Sequence, residues 1–434
     1  MYLKLIEKSY LKIKPNLISF VFYKNGFRES FPINDSAYEI LRLCDGTHSF
    51  QEIVEQLKSI YDEETEIIQE NVSEFLTPII EEEFVEEISS RKFYQTTKGS
   101  AEIFYTDSLC WEITDYCPLK CRHCYLPSKN NTYVSKEDID NVLKIIDTYG
   151  IHIIQLTGGE ALTHPHFNYI VDELTKRCLV INVSTSGMHF NEELLTTLEK
   201  IKKIKGCVVK VSLDGNKETH TFIRNHSKSY EKTLQFLNEL NQRNIPFQIA
   251  STLIDQSKEE IENLVYTAKK LGTELIEIGN ILEQGNARKN QLKTNLTLDE
   301  LNKLLKILKG KYEDKNFVVK IPENKPNEQN NCGAGYMILC FKENMDVTPC
   351  PMINFRLGNL REQSLEAIMQ EYAHKFIKFH SPCEQFCKTC EKEDDCAGCT
   401  ACGINNKEKV STCNWYEKQK ETFFPEEVMQ PFTI

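Results

Sequence analysis

The chain has 434 residues, 40% of them hydrophobic and 27% charged, with a formal net charge of −12. That length and apolar content support several folded cores and exclude a disordered chain, and the acidic balance weighs against nucleic acid as a partner because it repels phosphate. No apolar run reaches the roughly 18 residues of a membrane span, and "MYLKLIEKSYLKIKP" at the start lacks a secretory core, so the protein is expected in the cytoplasm with its thiols reduced.

Residues 1–92 read as a small domain of their own. "LISFVFYKNGFRESFPIN" predicts two strands around a turn at Asn25-Gly26, a dipeptide that takes the positive φ angles a tight hairpin needs. "NDSAYEILRLCDG" predicts a helix capped by Asp35 or Ser36 and ended by Gly46. "SFQEIVEQLKSIYD", opening on Ser49, and "TEIIQENVSEFLTPIIEEEF" predict two more. Strands with three helices in so short a span suggest a winged-helix-like unit. Its acidic face suits a peptide better than nucleic acid, which needs a basic recognition helix.

From residue 105 to 312 the pattern alternates. "SLCWEITDYC", "IHIIQLTGG", "LVINVSTSG", "CVVKVSLDG", "PFQIASTLI" and "TELIEIGNIL" read as strands, with helical stretches such as "SKEDIDNVLKIIDTYG" between them. Alternation of this kind implies right-handed crossovers and a parallel sheet, here a partial (β/α)6 barrel within an α/β chain. Chemistry in such barrels sits at the C-terminal strand ends. Cys117, Gly158-Gly159-Glu160, Thr185-Ser186-Gly187 and Asp214-Gly215 all fall there.

Residues 313–331 form a polar bridge. Residues 332–434 are rich in cysteine and poor in apolar residues, so metal sites could supply the missing stability. Of the 17 cysteines, Cys44, Cys110, Cys178 and Cys207 stand singly and read as packing residues, Cys110 being expected before the first strand, at its far end. The others cluster as Cys117, Cys121 and Cys124 in "CPLKCRHC" and as ten between Cys332 and Cys413. Clustering in a reducing compartment points to metal rather than disulfides. Zinc and iron–sulfur clusters both take thiolates. Three thiolates without a fourth neighbour suit a centre with one open position.

"CPLKCRHC" followed by "LTGGE" resembles the radical S-adenosylmethionine enzymes. The resemblance implies a [4Fe–4S] cluster on Cys117, Cys121 and Cys124, whose open iron binds S-adenosylmethionine and cleaves it to a hydrogen-abstracting radical. It further implies that Gly158, Gly159 and Glu160 meet the methionine amino group and that His123 lies beside the adenine. Ser212 and Asp214 would lie near the ribose and carboxylate, and Arg224 on the carboxylate. The cysteine-rich end resembles the SPASM domain of such enzymes, although Met345 stands where that pattern has glycine. That likeness implies two auxiliary [4Fe–4S] clusters, one on Cys332, Cys340, Cys350 and Cys399 and one on Cys387, Cys390, Cys396 and Cys413. Cys383 and Cys402 stay unassigned, Cys402 being an alternative to Cys399.

"INDSAYEILRLCDG" resembles the peptide-recognition element of the pyrroloquinoline quinone chaperones. The three parts in this order resemble the sactipeptide synthases, which join a cysteine sulfur to an α-carbon in a ribosomally made precursor peptide. The expected partners are that precursor, its leader held by the N-terminal domain, and an electron donor such as flavodoxin or ferredoxin. Other outcomes are a thioether to a β- or γ-carbon, a carbon–carbon crosslink or an epimerised residue. A non-catalytic iron–sulfur protein would be a reading of a different class.

Overall fold

The computed structural model describes residues 1–126, 130–322, 331–396 and 398–420. The expected bridge and C-terminal domain thus extend in part, at 323–330 and 421–434, beyond the described residues.

The N-terminal unit holds β1 (Tyr2–Leu5), β2 (Tyr10–Lys14), β3 (Leu17–Lys24), β4 (Phe27–Ile33), α1 (Asp35–Arg42), α2 (Phe50–Lys58), α3 (Thr65–Glu81), β5 (Val85–Ile88) and β6 (Thr97–Gly99). The β3–β4 hairpin forms as expected, with Asn25 and Gly26 at φ 55° and 84°. Ser49 and Glu52 close a capping box on α2. The cap of α1 differs from expectation: Asn34 accepts from the Ala37 N–H, one residue earlier, because its side chain reaches the third helical N–H. β1, β2, β5 and β6 were not legible, being short and paired with distant segments: β1 with β5, and β6 in parallel with β2. The order of the four-stranded sheet, β4-β3-β2-β6, leaves β4 as an open edge.

The barrel strands are β7 (Ser108–Glu112), β8 (Ile153–Thr157), β9 (Val180–Thr185), β10 (Val208–Ser212), β11 (Phe247–Leu253) and β12 (Leu275–Asn280), all six where the sequence places them. The intervening helices are α4 (Lys136–Tyr149), α5 (Phe167–Lys176), α6 (Glu192–Glu199), α7 (Lys217–Arg224), α8 (Ser229–Gln242), α9 (Lys258–Lys270), α10 (Gly285–Lys289) and α11 (Leu298–Tyr312). A further parallel strand, β13 (Val318–Lys320), comes from the stretch expected as a bridge and pairs with β12. The sheet does not stop at β7. β14 (Ile338–Phe341) adds to it in parallel, followed by antiparallel β15 (Asp346–Thr348) and β16 (Gly358–Asn359), giving ten strands in one sheet. The C-terminal helices α12 (Leu365–Ile377), α13 (Glu384–Cys387), α14 (Glu393–Cys396), α15 (Thr400–Asn406) and α16 (Asn414–Lys420) close the chain.

Alternation along the strands divides the sheet into two faces. Ile154, Leu156, Ile181, Val183, Val209, Val211, Ile249 and Ile276 belong to one continuous core. The alternate positions face the lumen and include several polar residues. Gln155 donates to Ser184 (3.3 Å), and Glu277 takes Lys210 (2.9 Å) and Lys320 (2.6 Å).

The N-terminal unit has its own core and is seated on the barrel through polar contacts. The buried Lys12 ammonium donates to Thr106 O and Gly150 O and pairs with Asp107, and Tyr10 donates to Gly150 O. Arg28 donates to Arg177 O and Cys178 O, and the Lys205 N–H to Gly26 O. Each barrel residue in these contacts lies just before the start of β7, β8, β9 or β10. The unit therefore sits at the N-terminal ends of the strands, opposite the mouth.

Candidate active site

The three-cysteine loop follows β7 and is held from two sides. Against α7, the Arg122 N–H donates to Ile223 O (2.8 Å) and the Arg122 side chain to Phe222 O. Against α10, the Asn286 N–H donates to Cys124 O (2.8 Å), its side chain to Cys121 O (3.1 Å) and Asn290 to Arg122 O (2.8 Å). Gly285, at φ 50°, approaches the loop so closely that a Cβ would lie 2.5 Å from Cys124 O. These anchors carry no motif and were not legible in the sequence.

The Gly158-Gly159-Glu160 segment locks onto the same loop. The Gly159 N–H donates to Thr114 O (2.6 Å) and the Glu160 N–H to Tyr116 O (2.7 Å). A Cβ on Gly158 would lie 2.1 Å from Thr114 O, and one on Gly159 2.0 Å from Tyr116 O. The glycines are thus required by the protein's own backbone. Glu160 is 1% exposed. Its carboxylate accepts from Thr185 Oγ1 (2.6 Å), from the Ser186 N–H (2.9 Å) and from the Ser186 hydroxyl. Most of its acceptor capacity is therefore occupied in tying the ends of β8 and β9 together.

Asp214, beyond β10, is fully buried. Arg224 grips it with Nε and Nη2 (2.7 and 3.0 Å), and the Thr252 N–H also donates to it (3.2 Å). Burial by itself would raise this carboxyl, but Arg224 holds it below the ordinary range. The Asp214 carboxylate, expected near the ribose and carboxylate of the ligand, is enclosed by these protein donors. The same pairing occupies one edge of the Arg224 guanidinium expected on the ligand carboxylate, while Nη1 points to Cys121 Sγ at 3.9 Å. Ser212, the last residue of β10, is half-buried on the lumen face. His123 and His220 lie within electrostatic reach of the Asp214–Arg224 pair, and burial lowers both to about 4, so both are neutral. His220, which the sequence did not single out, accepts from the Asp214 N–H.

The mouth fits the implied group. Cys117, Cys121 and Cys124 offer three soft donors on one loop, and His123 Nδ1 and His220 Nε2 are shut off from solvent without a hydrogen-bond partner, as polar atoms awaiting a polar ligand would be. Beside the mouth, a cavity of about 290 Å³ separates the loop from the β14–β15 hairpin and is lined by Glu112, Asp115, Tyr125, Lys342 and Glu343. Glu112 joins its walls, accepting from Tyr125 (2.8 Å) and Lys342 (2.9 Å).

The C-terminal thiols fall into two groups. The Cys332 and Cys399 thiols act on Cys350, and Cys387, Cys390, Cys396 and Cys413 line one pocket. Burial pushes Cys387 up to about 11 and Cys396 to about 12, so each must lose a proton when metal binds. The Cys399 and Cys402 thiols hydrogen-bond one another, and the N–H groups of Cys402 and Ala401 at the start of α15 also act on Cys399. Cys340 lies opposite Cys110, which is within β7 rather than before it, and hydrogen-bonds to that thiol. Among the described residues no three His, Cys, Asp or Glu side chains converge on a single ion.

Residues 111–268 match the radical SAM superfamily, residues 27–85 the coenzyme PQQ synthesis protein D (PqqD) and residues 332–391 an iron–sulfur cluster-binding domain, SPASM. The chain is 25% identical over 90% of both chains to the antilisterial bacteriocin subtilosin biosynthesis protein AlbA of Bacillus subtilis (strain 168). It is 24% identical to the sporulation killing factor maturation protein SkfB of the same organism, over 62% of this chain and 66% of that one. The fold is that of Streptococcus suis SuiB bound to the precursor peptide SuiA, with TM-score 0.66 and 14% identity over 99% of this chain and 100% of that one.

Proposed function

For a chain that carries a radical SAM domain between a PqqD-like and a SPASM domain, we propose the following activity. It is a radical SAM enzyme that modifies a ribosomally made precursor peptide, joining cysteine sulfur to an α-carbon. The observation that carries the reading is the convergence at one barrel mouth of the three-cysteine loop and the Glu160 clamp, in a sheet that runs without a break into the auxiliary thiols. The likeness to AlbA, a bacteriocin biosynthesis protein, over 90% of the chain supports the choice of a peptide substrate.

Cys117, Cys121 and Cys124 would hold a [4Fe–4S] cluster, and the C-terminal thiols two more. Bound at the mouth with S-adenosylmethionine, the first supplies one-electron cleavage and hydrogen-atom abstraction. The chain's own residues supply geometry. α7 and α10 fix the loop, Glu160 fixes the strand ends, and neutral His123 presents a flat ring beside the loop. The leader would add a strand to the open edge of β4, where Phe27 and Phe31 are each 41% exposed. Among the described residues no helix is long and apolar enough to cross a membrane. An electron donor of the flavodoxin or ferredoxin kind in the cytoplasm completes the proposal.

The test is anaerobic turnover of the reconstituted enzyme with a cysteine-containing precursor peptide encoded beside its gene. The peptide should lose two hydrogens per crosslink, its thiol should resist alkylation and the carbon-bound hydrogen should appear in 5′-deoxyadenosine. Solvent deuterium at an α-carbon without loss of mass would make the enzyme an epimerase. Iron-free protein with tight zinc would overturn the cluster reading.

A further inference from the structure

Arg224 stands between two buried partners of opposite kind. One edge of its guanidinium grips Asp214 with Nε and Nη2, and Nη1 donates toward Cys121 Sγ at 3.9 Å. The arrangement is built from all sides. Asp214 is fully buried and Arg224 is 8% exposed. The Asp214 carbonyl takes Gln256 Nε2 (2.7 Å), its carboxylate takes the Thr252 N–H, and the last turn of α7 is tied to the cysteine loop through Arg122. An ion pair serving only to close the fold would not need its third nitrogen on the thiol of a ligand loop.

Resting on the cluster reading above, we propose that Arg224 and Asp214 form a charge-setting pair. Arg224 favours the reduced, more negative state of a cluster on Cys117, Cys121 and Cys124 by donating to Cys121, and Asp214 limits that effect while holding the guanidinium in place. Hydrogen bonds to ligand sulfur and local net charge are main determinants of iron–sulfur potentials, and a fixed charge acts strongly where water is excluded. Arg224 is thus a positioning residue of the redox centre, a role separate from holding a ligand carboxylate.

The proposal predicts shifts of opposite sign. The holoenzyme would be titrated potentiometrically without S-adenosylmethionine, following the electron paramagnetic resonance signal that responds when S-adenosylmethionine is later added. Arg224→Gln should lower the midpoint potential, because a donor and a positive charge are lost. Asp214→Asn should raise it, because the guanidinium is left uncompensated. Arg224→Lys, which keeps the charge, should lie nearer the native value than Arg224→Gln does. Unmoved potentials, or shifts of the same sign in Arg224→Gln and Asp214→Asn, would overturn the proposal. If Arg224→Gln fails to load iron, Asp214→Asn decides, and the absence of an upward shift there sinks it. The cluster reading itself fails separately, if replacing Cys117, Cys121 and Cys124 together by Ala removes no iron.

Discussion

Cys340 lies directly opposite Cys110 in the parallel pairing of β14 with β7, and both thiols are fully buried. The pair joins the strand that starts the barrel to the first strand of the cysteine-rich domain. If Cys340 serves packing in that seam rather than a cluster, Cys340→Ala and Cys110→Ala should both keep their iron and each cost about 1–2 kcal/mol through the lost packing. Iron analysis with thermal unfolding checks this. Loss of iron in Cys340→Ala alone would return Cys340 to the first auxiliary cluster.

Gly159→Ala is expected to disable the mouth without unfolding the barrel. Its Cβ would meet Tyr116 O at 2.0 Å, and backbone on both sides must shift to relieve that. The displacement falls on the loop leading to Cys117. Iron bound by that loop and cleavage of S-adenosylmethionine should drop by an order of magnitude or more, as expected of about 1 Å of misplacement at a reacting centre, while far-ultraviolet circular dichroism stays native. Native cleavage rates would show that the loop tolerates the shift.

Acid should destabilise the chain through buried histidines. His164 donates from Nε2 to Val134 O and accepts the His166 N–H at Nδ1, so both ring nitrogens are satisfied only when the ring is neutral. Burial lowers it from 6.5 to about 4. Between those values the unfolded chain binds the proton and the folded chain does not, so stability is complete above the unfolded value and is lost as pH falls toward 4. His164→Gln, which keeps a donor and an acceptor, should flatten the slope of melting temperature against pH in that window. An unchanged slope would place the acid sensitivity elsewhere.

Geometry sets a minimum length on the precursor. Its leader would dock at the N-terminal ends of the barrel strands and its core would react at the C-terminal ends. The strands between are about five residues deep, roughly 17 Å at 3.3 Å per residue, and an extended peptide covers about 3.3–3.6 Å per residue. Shortening the spacer between leader and first modified cysteine below about six residues should abolish modification without weakening binding measured by fluorescence anisotropy. Undiminished modification of the short-spacer peptide would show that the leader docks elsewhere.

Much of this protein is written in local patterns. The six barrel strands, the hairpin at Asn25-Gly26 and the Ser49 cap depend on residues close in sequence, and the cysteine spacing with Gly158-Gly159-Glu160 marks the mouth because each lies just past a strand. Other features depend on segments far apart in the chain. The enclosure of Asp214 by Arg224 and Thr252 is one of them. Cys340 is seen to face Cys110 only once β14 is laid against β7, since strand pairing between residues more than two hundred positions apart leaves no trace in spacing. Met345 keeps a left-handed φ of 70° in the β14–β15 turn although it is not glycine, and its side chain is fully buried. The loss on deleting a buried side chain, about 2–5 kcal/mol, exceeds the cost of such a backbone, about 1–3 kcal/mol. Only the packed core around Met345 decides that balance.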